Sequence, residues 1–152
     1  MRALVPPKLS VTMRTRPTAS TQVESTNFSP RLHMRMALWL LDSQRLGQTK
    51  SVKRIAGRML KQPALEGVVE AQSRLGRLLC HDCDSQRDRR IGFELLRQAA
   101  RAGDRQAQLE LGRLYFQGQY QEPTKARHWL EQAAAQGSGE ASRLLSRLIA
   151  TG

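Results

Sequence analysis

Two stretches of the chain repeat the same order of apolar and polar positions. Residues 71–79 return as 107–115, and residues 95–103 return as 129–137, which gives a period of 34 to 36 residues. In both copies of the first stretch, apolar residues recur at the spacing of one helical stripe: Ala71, Leu75, Leu78 and Leu79, then Ala107, Leu111, Leu114 and Tyr115. Helical segments that repeat in this way predict an all-α fold, a short α-solenoid of antiparallel helix pairs.

Glycines mark where these helices meet and where they end. Gly76 and Gly112 lie within the apolar stripe, where glycine costs about 1 kcal/mol of helix stability relative to alanine. That cost is tolerated when a second helix packs close to the glycine, and the second stretch supplies such a helix. Its predicted start is Asp88 in one copy and Glu122-Pro123 in the other, and its predicted end is Gly103 or Gly137.

The copy at residues 107–140 carries a further pattern of small, aromatic and basic positions. Its members are Ala107, Leu111, Gly112, Tyr115, Gly118, Lys125, Ala126, Trp129, Ala133, Ala134 and Gly137. This pattern resembles the Sel-one-like repeat (SLR), a relative of the tetratricopeptide repeat. The copy at residues 71–106 departs from it at Leu79, Asp82, Ile91-Gly92 and Leu95. The resemblance implies an SLR α-solenoid, whose family members commonly act as adaptors and scaffolds.

The same period extends outward into partial copies, so we expect the solenoid to cover residues 34–152. Residues 36–70 form a degenerate repeat in which Trp39 aligns with Leu75, and Pro63 should kink or break the second helix. Residues 141–150 form a half-repeat that caps the array.

Residues 1–33 hold five basic residues and one acidic residue, with no helical period. We expect a disordered basic tail there. A transit peptide, or a native start at Met34 or Met36, are the alternatives.

The formal net charge of +12 favours acidic partners. In tetratricopeptide-like arrays the first helix of each pair lines the concave face, so the resemblance implies that Arg77, Arg113 and Arg147 form a ladder along one groove. Guanidinium groups bind carboxylates in a bidentate way, and the neighbouring Gln72 and Gln108 could hydrogen-bond an extended peptide. The alternative is that these positions simply tolerate arginine on a solvated surface.

The last helix offers a second candidate surface. We expect no further helix to cover Leu145, Leu148 and Ile149, so these residues are a possible edge for weak self-association or for a partner helix. The alternative is that this helix packs fully on its predecessor.

The sequence shows no constellation that would indicate catalysis, a cofactor or a metal. Cys80 and Cys83 fall in the predicted loop between two helices, and a structural zinc site needs four ligands where this pair supplies two. The acidic residues that follow lack the glycine and the carboxylate that a calcium loop requires. We therefore expect loop thiols, no cofactor and no enzymatic activity.

The expected function is a non-enzymatic interaction module that binds a protein or peptide, of acidic character, through its concave helical face. The alternative is a basic protein that binds nucleic acid or an anionic surface. Few aromatic residues are present, which argues against base stacking. No run of 18 apolar residues occurs, so we expect no transmembrane segment, and a cytoplasmic location is the expected default.

Overall fold

The computed structural model describes residues 30–117 and 120–150, and these form seven helices and no strand. The helices are α1 (Pro30–Asp42), α2 (Lys50–Leu65), α3 (Val69–Asp82), α4 (Gln86–Arg101), α5 (Arg105–Gln117), α6 (Pro123–Ala135) and α7 (Gly139–Ala150). The all-α fold is confirmed. Residues 1–29 of the predicted tail lie outside the described residues. Helix α1 begins at Pro30, earlier than the solenoid boundary expected at residue 34.

Each helix packs against the next one along the chain, as a solenoid of helix pairs requires. The first helix of each pair is α1, α3, α5 or α7, and the second is α2, α4 or α6. Among the first helices, α5 also contacts α3 and α7 directly, whereas α4 and α6 contact each other far less. The side formed by α3, α5 and α7, which we call the first-helix face, is therefore the more closely packed side of the array.

The glycines predicted to allow close helix crossings do so. A Cβ atom on Gly112 would lie 2.5 Å from Leu130 Cγ of α6, and one on Gly76 would lie 2.8 Å from Leu96 Cγ of α4. At the ends of the second helices, Gly103 and Gly137 have φ angles of +94° and +84°, the left-handed conformation that favours glycine. These features fix where the second helix crosses the first and where the chain turns back.

The degenerate first pair differs from its prediction in two ways. Helix α2 continues through Pro63 to Leu65, because a proline so close to the C-terminal end removes one hydrogen bond without interrupting a long ladder. Trp39 is 64% exposed, although its alignment with Leu75 placed it in the core. The connection between α1 and α2 spans residues 43–49, whereas that between α3 and α4 spans only residues 83–85, so a fixed offset of 36 misplaces α1.

Helix α7 is more buried than the predicted association edge implied. Leu148 is buried and Leu145 is half-buried against the last core cluster, while Ile149 is 61% exposed. The prediction of an apolar edge is therefore wrong for Leu148, because α7 turns this side chain toward the interior. Any self-association through α7 would depend on Ile149 and the exposed part of Leu145.

Candidate functional site

The first-helix face brings two of the three predicted arginines around one buried carboxylate. Glu110, on α5, has a side chain that is 1% exposed. Its Oε1 atom lies 3.4 Å from Arg77 Nε on α3 and 3.3 Å from Arg113 Nη1 one turn along α5. His81 Nε2 on α3 donates a hydrogen bond of 3.0 Å to Glu110 Oε2. Sequence reasoning missed Glu110, although its spacing of three residues from Arg113 was a signal.

The charges in this cluster perturb one another. Burial is the largest influence on Glu110 and would raise the pKa of its carboxyl group, but the hydrogen bond from His81 and the charges of Arg77 and Arg113 together lower that pKa below its usual range. The same hydrogen bond raises the pKa of His81 above its ordinary value, against the opposing effect of partial burial. Glu110 is thus held as an anion, and His81 gains affinity for its proton.

Arg113 extends the cluster to the last helix. Its Nη2 atom donates a hydrogen bond to Glu140 on α7, and Glu140 is partly exposed. We call Arg77, His81, Glu110, Arg113 and Glu140 the arginine–carboxylate cluster. It joins α3, α5 and α7, so two of the arginines that the sequence presents as a solvent-facing ladder are engaged within the protein. Arg147 lies exposed on α7.

A cleft of about 370 Å³ opens beside this cluster, between α3 and α5. Its lining residues are Glu70, Ser73, Arg74, Arg77, Asp104 and Gln106. Within the part of the chain that the structure describes, Arg77 Nε is buried and makes no hydrogen bond, because its approach to Glu110 satisfies the distance of an ion pair but not the alignment of a hydrogen bond. Arg74 is paired with Asp42 at 3.0 Å. The cleft therefore carries both basic and acidic groups.

The two glutamines predicted to contact a peptide have another role. Gln72 and Gln108 are buried, and their Nε2 atoms donate to the carbonyl oxygens of Ala64 at 3.2 Å and Ala100 at 3.1 Å. Those carbonyls lie at the C-terminal ends of the preceding second helices, whose last carbonyls lack partners within the helix. The predicted peptide contact is therefore wrong for both side chains, which instead join one repeat to the next.

The cysteine pair also lies elsewhere than predicted. Cys80 is on α3 and only Cys83 follows the helix end, so the prediction that both lie in a loop is wrong because α3 extends to Asp82. Burial, followed by the charge of Glu110, raises the pKa of the Cys80 thiol to about 11. Both cysteines are free, and the described residues contain no group of three or more side chains able to hold a metal ion.

Comparison with known proteins identifies the repeats. The Sel1 repeat family model matches residues 69–104 and 105–138. Among solved structures, a Sel1 repeat protein from Oxalobacter formigenes is 29% identical, with a TM-score of 0.59 and coverage of 78% of this chain and 89% of that one. A protective antigen of uropathogenic Escherichia coli strains that displays an SLR fold is 27% identical, with a TM-score of 0.64.

The match to that antigen covers 78% of this chain and 25% of the antigen. No curated protein matches the sequence. None of the helices in the described part of the chain has the length and apolar character needed to cross a membrane. Sel1 repeat proteins are generally protein–protein interaction modules and non-catalytic scaffolds.

Proposed function

This chain is a Sel1 repeat protein, and from that premise we propose that it binds acidic side chains of a protein partner on its first-helix face, without catalysing a reaction. The binding groups are the guanidinium groups of Arg77, Arg113 and Arg147. The proposal includes a cytoplasmic location, since the free thiols of Cys80 and Cys83 suit a reducing compartment.

The observation that carries this proposal is the buried carboxylate of Glu110. It holds Arg77 and Arg113 from the protein side, while about a third of each arginine side chain stays exposed. A long side chain that is already fixed loses less conformational freedom when it meets a partner. The exposed edge of each guanidinium can then receive a carboxylate in a bidentate way.

The partner's carboxylate has to compete with groups already present. Glu110 is buried and stays in place, but Glu140 is partly exposed in its pair with Arg113. Exposed ion pairs contribute only about 0–1 kcal/mol, so a partner carboxylate can replace Glu140 at little cost. Arg77 offers the adjacent point of contact, because it lines the cleft between α3 and α5.

Arginine-to-lysine variants provide the sharpest test. Reversal to glutamate would place like charges beside Glu110 and disturb the fold, whereas Arg77→Lys, Arg113→Lys and Arg147→Lys together keep the charge and remove the planar fork. The matched control replaces three exposed arginines of α4, namely Arg87, Arg90 and Arg101, with lysine.

Both variants would be purified from the native host beside the unchanged protein, with nuclease added. We expect to recover a protein partner that remains bound after nuclease treatment. The first-helix variant should recover at least tenfold less of this partner, whereas the α4 control should recover as much as the unchanged protein. Equal retention by both variants would refute the proposed surface.

Binding to nucleic acid or another polyanion is the second candidate. One observation favours it: residues 30–65 contain eight lysine and arginine residues and one acidic residue, Asp42. Loss of the bound material after nuclease treatment would move the function to nucleic acid, since phosphate contacts supply most sequence-independent affinity for DNA and RNA.

A further inference from the structure

Exposed apolar side chains are concentrated on the N-terminal helix pair. Six of the eight exposed large apolar residues of the described chain belong to it or to the connections at its helix ends: Leu32, Met36, Trp39, Leu46, Ile55 and Leu65. Leu32, Met36 and Trp39 follow one another at intervals of four and three residues on α1, so they form a single stripe along that helix.

The same stripe is covered in the next repeat. Helix α1 begins at Pro30 and α3 at Val69, and this offset of 39 places Leu32, Met36 and Trp39 at the positions of Ala71, Leu75 and Leu78. Those three α3 residues pack in one core cluster with Ala56, Leu60 and Ala64 of α2. The side of α3 that carries these residues packs against the preceding helix α2. The corresponding side of α1 is therefore exposed to solvent.

The charge around this stripe is almost entirely positive. Arg31 and Arg35 flank it on α1, and Arg54 and Arg58 lie beside the exposed Ile55 on α2. None of these four arginines makes an ion pair with a residue that the structure describes. The single acidic residue of the pair, Asp42, is already bound to Arg74. We call the apolar stripe of α1, with Arg31 and Arg35 beside it, the N-terminal end face.

We propose that the N-terminal end face binds an amphipathic helix of a partner protein that carries acidic residues beside its apolar stripe. The apolar contact reproduces the packing of α2 on α3, and the acidic flanks pair with Arg31 and Arg35. A second copy of the same face would bring these cations together. Residues 1–29 hold four basic residues and one acidic residue, so their net positive charge would be repelled by the arginines of this face.

This inference shares with the proposed function only the assumption that the partner is a protein, and it uses a separate surface. Two synthetic helical peptides with identical apolar stripes distinguish the surfaces, one flanked by glutamate and one by lysine. Each would be labelled and titrated with the full chain by fluorescence anisotropy. We expect the glutamate-flanked peptide to bind at least tenfold more tightly than the lysine-flanked peptide.

Variants locate the contact. Met36→Glu and Trp39→Glu should each weaken binding at least tenfold, whereas Ile91→Glu, at an exposed apolar residue of α4, should leave it unchanged. The first-helix lysine variant should bind the glutamate-flanked peptide as tightly as the unchanged protein. The experiment therefore distinguishes a failure of the proposed site on the first-helix face from a failure of the site on the N-terminal end face. The double variant Arg31→Glu with Arg35→Glu keeps the apolar stripe intact and should shift the preference toward the lysine-flanked peptide. It therefore tests the site even if Met36→Glu impairs folding.

Three results would overturn the inference. Equal or absent binding of both peptides would remove the charge argument. A dimer in sedimentation that Met36→Glu converts to monomer would assign the face to a second copy. Capture of the chain by anionic vesicles, lost in Trp39→Glu while neither peptide binds, would assign it to a lipid surface.

Discussion

Replacing Glu110 with alanine tests whether the arginine–carboxylate cluster stabilises the first-helix face. The substitution removes a carboxylate that is 1% exposed and that contacts Arg77, His81 and Arg113. Two guanidinium groups and the imidazole of His81 would then surround a site without an anion. We expect a loss of folding free energy together with weaker partner binding, because both arginines lose their fixed position.

The size of the loss follows from the exposure of the groups left behind. Removing one partner of a fully buried pair costs about 3–5 kcal/mol, because the other charge stays buried. Here His81 is half-exposed and each arginine is about one-third exposed, so water can solvate them again. We therefore expect about 2–3 kcal/mol for Glu110→Ala, below the cost for a fully buried pair.

Urea unfolding followed by circular dichroism measures this loss, and a double-mutant cycle with His81→Ala isolates the hydrogen-bonded pair. The coupling energy should be larger at pH 6, where His81 is charged, than at pH 9. A loss below about 0.5 kcal/mol, the range of ordinary surface substitutions, or a coupling energy independent of pH, would refute the reasoning.

The packing of Gly112, the titration of the His81–Glu110 pair and the burial of Cys80 each give a further prediction. Gly112→Ala should destabilise the protein by about 1–3 kcal/mol because its Cβ would overlap α6, whereas Gly139→Ala, with no atom within 4 Å, should be close to neutral in the same urea experiment. Because the pKa of His81 is raised on folding, protonated His81 stabilises the fold below pH 6.5, and this stabilisation is lost as the pH rises through the folded pKa. Because the pKa of Glu110 is lowered on folding, ionised Glu110 stabilises the fold above pH 4.5, and this stabilisation is lost as the pH falls through the folded pKa. Unfolding at a series of pH values should therefore show the largest contribution of this pair between about pH 4.5 and 6.5, and Glu110→Gln should flatten that dependence. Alkylation of Cys80, measured by mass spectrometry at pH 8, should be much slower than that of an unfolded-chain thiol because its pKa is about 11.

The repeat architecture could be predicted from local signals alone. The period of 34 to 36 residues, the close-contact glycines and the left-handed Gly103 and Gly137 each require only a short stretch of sequence. The register of α1 could not be predicted in this way, because the longer connection after it changes the offset from 36 to 39.

The candidate site depends on packing between distant helices, and the local sequence shows only the three-residue spacing of Glu110 and Arg113. Glu110 reads as an ordinary surface residue in sequence, yet its partners come from α3 and α5, and Arg113 reaches α7. Gln72 and Gln108 look solvent-facing, but each lies against the carbonyl end of a preceding helix. Arg77, Arg113 and Arg147 lie on the first helices, as their register indicates. The pairing of Arg77 and Arg113 with Glu110 could not be predicted from that register.

Site-specific photo-cross-linking in the native host tests the first-helix face most directly. A photoreactive amino acid would replace Gln106, which lines the cleft beside Arg77, or Gln86, which is exposed at the start of α4. We expect a protein adduct from position 106 that is absent from position 86. An adduct only from position 86, or one that consists of nucleic acid, would contradict binding of a protein at the first-helix face.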